Sequence, residues 1–266
     1  MSAPLDYLDH LARESARFGS VMNAADPAAP VPTCSGWTAA DLLWHLGEVQ
    51  WFWGTIVRDR VNANTAEEIK PPRPARWPGL TEFYASASAE LGSVLALTPP
   101  ETTVWTWADD KTAGFVRRRQ AHEALIHRVD AELTVGDRTP LDTEMSADGI
   151  DEVLRIMFGG DLPTWGMFVP DAGSSLRIAT ADTGDIWMIE IGQFTGEDPD
   201  SGQAYDEKGI RLAGLEAGAE PAAVVAGNAG DLDCWLWGRP GVGPLERAGD
   251  KAVLAGFEEI IAQGIN

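Results

Sequence analysis

Four helix-length amphipathic segments, separated by breaks rich in Pro and Gly, fill the first half of the chain and constrain its fold more than any other feature. LDYLDHLARESARFGSVMNAA (5–25) places Leu5, Leu8, Leu11 and Phe18 at a helical recurrence. DPAAPVPTCSGW breaks it. Thr38 then opens TAADLLWHLGEVQWFWGTIV, with Asp41 three residues on, a capping box using Asp in place of Glu. KPPRPARWPG separates this segment from TEFYASASAELGSVLAL. The fourth segment is expected from about Ala113 to Val135, before GDRTP. Four such helices joined by loops predict an antiparallel bundle.

The second half changes period. SADGIDEVLRIMFGG reads as a short helix. SLRIATAD, DIWMIEIGQ, GIRLAGLE and AAVVAG have strand length and strand patterning, with Gly, Asp and Thr between them. DTGDIWMIEIGQFTGEDPDSGQAYDEKG as a whole is acidic and loop-rich. NAGDLDCWLWGR and AGDKAVLAGFEEIIAQ read as closing helices. The predicted class is α+β, with a four-helix bundle over residues 1–144 and a small α+β domain over 145–266.

Charge narrows the partners. The formal net charge is -21, and a surface this acidic repels phosphate backbones and anionic membranes. No run approaches 18 uninterrupted apolar residues, so no membrane-spanning helix is expected. The N-terminus lacks a basic stretch followed by an apolar one, so no signal peptide is read there. Cys34 and Cys234 form neither a disulfide framework nor a metal-binding spacing. A cytoplasmic protein is the expectation.

The chain has 4 His, and two of them fall in HEALIH, His122 to His127. This is not the zinc-protease signature H-E-x-x-H, whose histidines are four apart. Five residues put His122 and His127 about 140° apart on a helix. Glu123 and His127, four apart, lie about 40° from each other on neighbouring turns. A carboxylate and an imidazole so placed can share one divalent metal if a third ligand comes from elsewhere. His45 shares a helix face with Leu42, Leu46 and Val49, which points into the bundle. Two His and one carboxylate suit Zn²⁺, Fe²⁺ or Ni²⁺, and three protein ligands leave positions open for chemistry. The competing reading is a surface Glu–His pair and a satisfied core histidine. His122 is placed at the rim of such a site or behind it, and His10 in solvent.

Three stretches carry a resemblance: VPTCSGWTAADLLWHLGEV, VWTWADDKTAGFVRRRQAHEALIHRVDAEL and VVAGNAGDLDCWLWGR. Together they resemble the mycothiol-dependent maleylpyruvate isomerase family of actinobacteria, over nearly the whole chain. The resemblance implies a DinB-like bundle followed by a domain similar to sterol carrier proteins. It implies metal ligands at His45, Glu123 and His127, usually for zinc. It also implies mycothiol, a cysteine thiol on a sugar–inositol scaffold, as thiol cosubstrate. A metal-bound thiol ionises near neutral pH, and its addition to an electrophilic small molecule gives cis-trans isomerisation or S-transfer. The family includes both activities.

Other residues are weighed beside these. Arg118, Arg119 and Arg128, together with Arg117, flank the ligand positions and are candidates to hold an anionic substrate or the thiol cofactor; solvated helix charges are the plainer reading. Asp130 is placed to orient a ligand or Arg128. Trp44, Trp51, Trp53, Trp105 and Trp107 are core or pocket wall. Cys34 is a fourth ligand, a redox thiol or a small buried loop residue, and Cys234 is core. Two rival functions stand beside the thiol enzyme. One is a non-catalytic, metal-stabilised small-molecule-binding protein; the other is a metal hydrolase using metal-bound water. A monomer or a homodimer is expected.

Overall fold

A computed structural model of the chain describes residues 5–159, 165–199, 201–214 and 220–264. It divides into two compact units, Met1–Thr139 and Pro140–Asn266.

The first unit carries helices α1 (Tyr7–Ala24), α2 (Ala39–Asp59), α3 (Ala63–Glu68), α4 (Trp77–Leu97) and α5 (Ala113–Val135). The ends follow from local chemistry. Thr38 and Asp41 form the reciprocal capping box expected at the start of α2. Thr112 accepts from Phe115 N–H to open α5, and Gly136 closes it at φ 72°. α4 starts at Trp77, earlier than its apolar pattern suggests, because Pro78 is well suited to a helix's first turn. The six-residue, mostly polar α3 has no periodicity to reveal it.

The long helices form a bundle in which α1 packs on α4 and α5, and α2 packs on the same two. It is not the simple alternating bundle expected from four segments in series. Along α1 and α5, Tyr7 meets His122, Glu14 meets Arg128 and Arg17 meets Glu132. Both series ascend, so these helices run in the same direction. Gly47 lies against Phe83 and Gly54 against the Leu91 backbone, so α2 and α4 also run in parallel. Parallel neighbours need a long crossover, and residues 60–76, with α3 inside them, supply it. The bundle core includes Phe18, Met22, Leu42, Leu43 and Leu46, all within 1% of fully buried.

The second unit opens with α6 (Thr143–Glu152), which runs into a π-helical turn over Val153–Phe158. A five-stranded sheet follows: β1 (Gly166–Thr180), β2 (Ile186–Glu197), β3 (Ala204–Ala213), β4 (Ala223–Gly227) and β5 (Glu246–Gly249). Its order is β3-β2-β1-β4-β5. β1 and β4 are parallel, and the other neighbours are antiparallel. Leu176, Ile178, Trp187, Ile189 and Ile191 alternate inward and are buried with residues of α7 (Ala229–Leu236) and α8 (Lys251–Ile261). The acidic stretch read as loop-rich is mostly β2 and the start of β3, paired from Met188–Ala213 to Glu197–Ala204. β5, four exposed residues, carries no apolar alternation and was not expected. Among the described residues no helix is long and apolar enough to cross a membrane.

Candidate metal centre

α2 and α5 bring His45, Glu123 and His127 together. One ligand atom from each lies within 4.8 Å of the others. Glu123 Oε1 is 3.1 Å from His127 Nε2 and 3.5 Å from His45 Nε2. Donor atoms sharing a tetrahedral ion at ordinary bond lengths lie about 3.3 Å apart. The donor set, two imidazoles and a carboxylate, therefore fits a divalent ion in type, and both Glu123–His separations are close to that spacing.

The neighbours fix how each donor points. His127 Nδ1 is 2.9 Å from Asp130 Oδ2, which leaves Nε2 facing Glu123. Asp130 is itself held by the Thr33 hydroxyl, which donates to Oδ1 at 2.5 Å. Arg119 Nη2 donates to Glu123 Oε2 at 2.8 Å, leaving Oε1 toward the imidazoles. The Trp37 ring packs 4.9 Å from the His45 ring, and the two imidazole rings lie 4.8 Å apart, edge to face. A carboxylate behind a ligand histidine is the usual way such rings are oriented.

Electrostatics agree with this geometry. Burial alone would lower the pKa of His127, but its bonds to Asp130 and Glu123 outweigh burial and push it up to about 9. Burial would raise Glu123, yet its bonds to His127 and His45, with the nearby Arg119 charge, hold it well below the ordinary carboxylate range. Glu123 is thus an anion within a partly buried cluster, the state a cation requires of a ligand.

The remaining expected residues divide. Arg119 joins the site, against Glu123. Arg118 is half-buried and lies five residues before Glu123, about 140° around the helix. Arg128 is set aside as a cofactor contact. It is 3% exposed, and its guanidinium donates to Glu14, Glu132 and Thr139. Next to His127 in sequence, it points about 100° away around α5. Arg117 donates to the carbonyls of Leu95 and Thr98 at the C-terminal end of α4. His10, expected in solvent, is buried and contacts Arg13. His122 is also buried, against Tyr7. Cys34 Sγ is 3.8 Å from Asp130 Oδ2 and is not among the clustered donors. Cys234 is core. Trp53 is buried and stacks with Trp105, whereas Trp107 is 47% exposed.

Sequence reasoning missed Thr33 and the packing role of Trp37. Both lie in PTCSGW, whose Pro and Gly signalled a loop but not where it docks. It also missed the ion-pair network of Glu14, Arg17, Arg128 and Glu132 that joins α1 to α5.

A cavity of about 350 Å³ opens beside His45, lined by Gly36, Trp37, Asp41, Trp44, Glu48 and Arg73. A larger one, about 800 Å³, lies along α1 and α4, and none of the three clustered residues lines it.

Comparison with known proteins places this architecture. The Mycothiol maleylpyruvate isomerase N-terminal domain matches residues 8–132, and the MDMPI C-terminal domain matches residues 144–256. No curated protein sequence matches the chain. Two crystal structures of mycothiol-dependent maleylpyruvate isomerase share its fold. One, a histidine-to-alanine mutant, has a TM-score of 0.56 at 14% identity, and the other 0.53 at 15%. Each alignment covers 92% of this chain and 93% of the other. With both domains matched in order across most of its length, the chain belongs to the mycothiol-dependent maleylpyruvate isomerase family, a family of enzymes.

Proposed function

We propose that this chain is a divalent-metal-dependent enzyme, with zinc the expected ion, that uses mycothiol for thiolate addition to an electrophilic small molecule, giving cis-trans isomerisation or S-transfer. His45, Glu123 and His127 would hold the ion. One observation carries the reading: the three donors meet across two helices, with Asp130 behind one ligand and Arg119 behind another. When bound, the ion supplies the positive charge that ionises a thiol near neutral pH, giving the nucleophile for addition to an activated double bond.

The chain's own residues set the conditions. Asp130 fixes the His127 ring and holds a proton on Nδ1, so that Nε2 would present its lone pair once an ion displaces the proton it carries. Arg119 holds one oxygen of Glu123 and directs the other inward. Trp37 and Trp44 wall the cavity at His45. No side-chain nucleophile is needed, in keeping with Cys34 standing outside the donor cluster.

The test is an assay of maleylpyruvate isomerisation with the metal-loaded protein, with and without mycothiol. Turnover that requires both metal and thiol supports the proposal. Ester or amide hydrolysis without thiol, abolished with the metal, would favour the hydrolase reading instead.

A further inference from the structure

The cavity of about 800 Å³ along α1 and α4 lies wholly within the first unit, apart from the donor cluster. It follows α1 from Leu8 to Asn23 and α4 from Thr81 to Ala96, about 22 Å along each helix at 1.5 Å per residue. Leu11, Leu43 and Tyr84 line it, each at most 5% exposed, and most of the remaining lining is Ala, Ser and Gly. Its volume is that of a site for a small molecule.

Two features of this cavity are not explained by the packing of the described residues. Gly92 stands inside α4, where glycine weakens a helix relative to alanine. Gly47 and Gly54 of α2 have a packing reason, since a Cβ would come within 3.2 Å of Phe83 and 3.6 Å of Leu91; a Cβ on Gly92 would meet no described atom within 4 Å. Gly92 thus widens the cavity rather than admitting a neighbouring helix. Ser15, 5% exposed, also lines the cavity. Its hydroxyl accepts from Gln50 Nε2 at 2.9 Å, and among the described residues none accepts its proton. A buried donor of this kind is matched by an acceptor in the cavity.

Charge selects the ligand. No residue lining the cavity is charged, in a chain of net charge -21. A carboxylate or phosphate would find no cation there and would be repelled by the whole surface. A cationic group would lose its hydration with no carboxylate in the lining to pair with. An unbranched apolar chain packs on Leu and Ala along the length of the cavity, and a neutral carbonyl oxygen meets the Ser15 proton.

We propose that this cavity binds a neutral, single-chain ester or amide, with its chain laid between α1 and α4 against Leu11 and Leu43 and its carbonyl accepting from Ser15. The site is independent of the metal and thiol reading.

The experiment is equilibrium dialysis of 1-decanoylglycerol, below its micellar concentration, against wild type, Gly92→Leu and Ser15→Ala. Wild type should saturate near one equivalent, and 1-octanoylglycerol should bind about tenfold more weakly for the two methylenes lost. Gly92→Leu places a side chain in the cavity and should weaken binding by about tenfold or more, with an unaltered melting temperature to show that the bundle is intact. Ser15→Ala should weaken it about fivefold. Decanoate, with the same chain and a charged head, should bind about tenfold more weakly than the ester. Lack of saturation in wild type, equal affinity in Gly92→Leu, or decanoate bound as tightly as the ester would each overturn the proposal. Sedimentation velocity covers the rival occupant: a wild-type dimer that Gly92→Leu converts to monomer would give this face to a second copy of the chain and overturn the ligand site. None of these readouts depends on turnover, so each outcome leaves the thiol reading where it stood.

Discussion

Asp130 and His127, one turn apart on α5, are joined by a 2.9 Å contact between Oδ2 and Nδ1. That contact decides which ring nitrogen faces Glu123 and His45. Replacing Asp130 by Asn keeps the volume but removes the charge behind the ring. Metal affinity should fall about 10–100-fold, read by competition with a chelating dye, while the melting temperature of the metal-free protein changes little by comparison. Unaltered affinity would show that His127 needs no such partner.

Cys34 tests the limits of the donor set. Its thiol faces Asp130 rather than the three clustered atoms. Cys34→Ala should therefore retain the metal stoichiometry of wild type, measured by mass spectrometry. Loss of the ion would make the thiol a ligand.

The Arg128 network predicts a stability effect distinct from any effect on the metal. Arg128 and Glu132 are buried and 3.0 Å apart, with Glu14 2.7 Å away on the other side of the guanidinium. Arg128→Met strands buried carboxylates and should cost about 3–5 kcal/mol. Lys208→Ala, which breaks an exposed pair with Asp171, should cost no more than about 1 kcal/mol. Urea unfolding of both variants checks the contrast.

Asp41 gives a pH dependence. Hydrogen bonds from Thr38, side chain and backbone, and from Arg73 lower its pKa from 3.8 to about 2. A depressed carboxylate contributes stability that is fully present above its unfolded pKa and lost as the pH falls through the folded value. The contribution is therefore complete above pH 3.8 and fades toward pH 2. Between pH 5 and pH 2.5, Asp41→Asn should lose less stability than wild type. An equal loss in both proteins would mean that the capping box does not act through the Asp41 charge.

The site was more legible in the sequence than the bundle's topology. Glu123 and His127 announce themselves by a four-residue spacing that helix geometry makes adjacent, and His45 by the apolar face it shares with Leu42 and Leu46. The Thr38–Asp41 box and the limits of α5 are equally local signals. Helix direction is not local. The parallel pairs α1–α5 and α2–α4 depend on which faces meet, and the crossover through α3 looks in sequence like any polar loop. The same reason hid Thr33: its partner Asp130 is 97 residues away, and no short-range pattern encodes that contact. Arg128 misled because an arginine beside a ligand position has the same sequence signature whether it faces a substrate or two buried glutamates.

The central claim is that His45, Glu123 and His127 bind one ion together. Metal content of purified wild type, His45→Ala and His127→Ala, before and after incubation with Zn²⁺ and desalting, tests it most directly. The account predicts about one equivalent in wild type and loss in both variants, although the two histidines come from different helices. Wild type that retains no more zinc than the variants would contradict it.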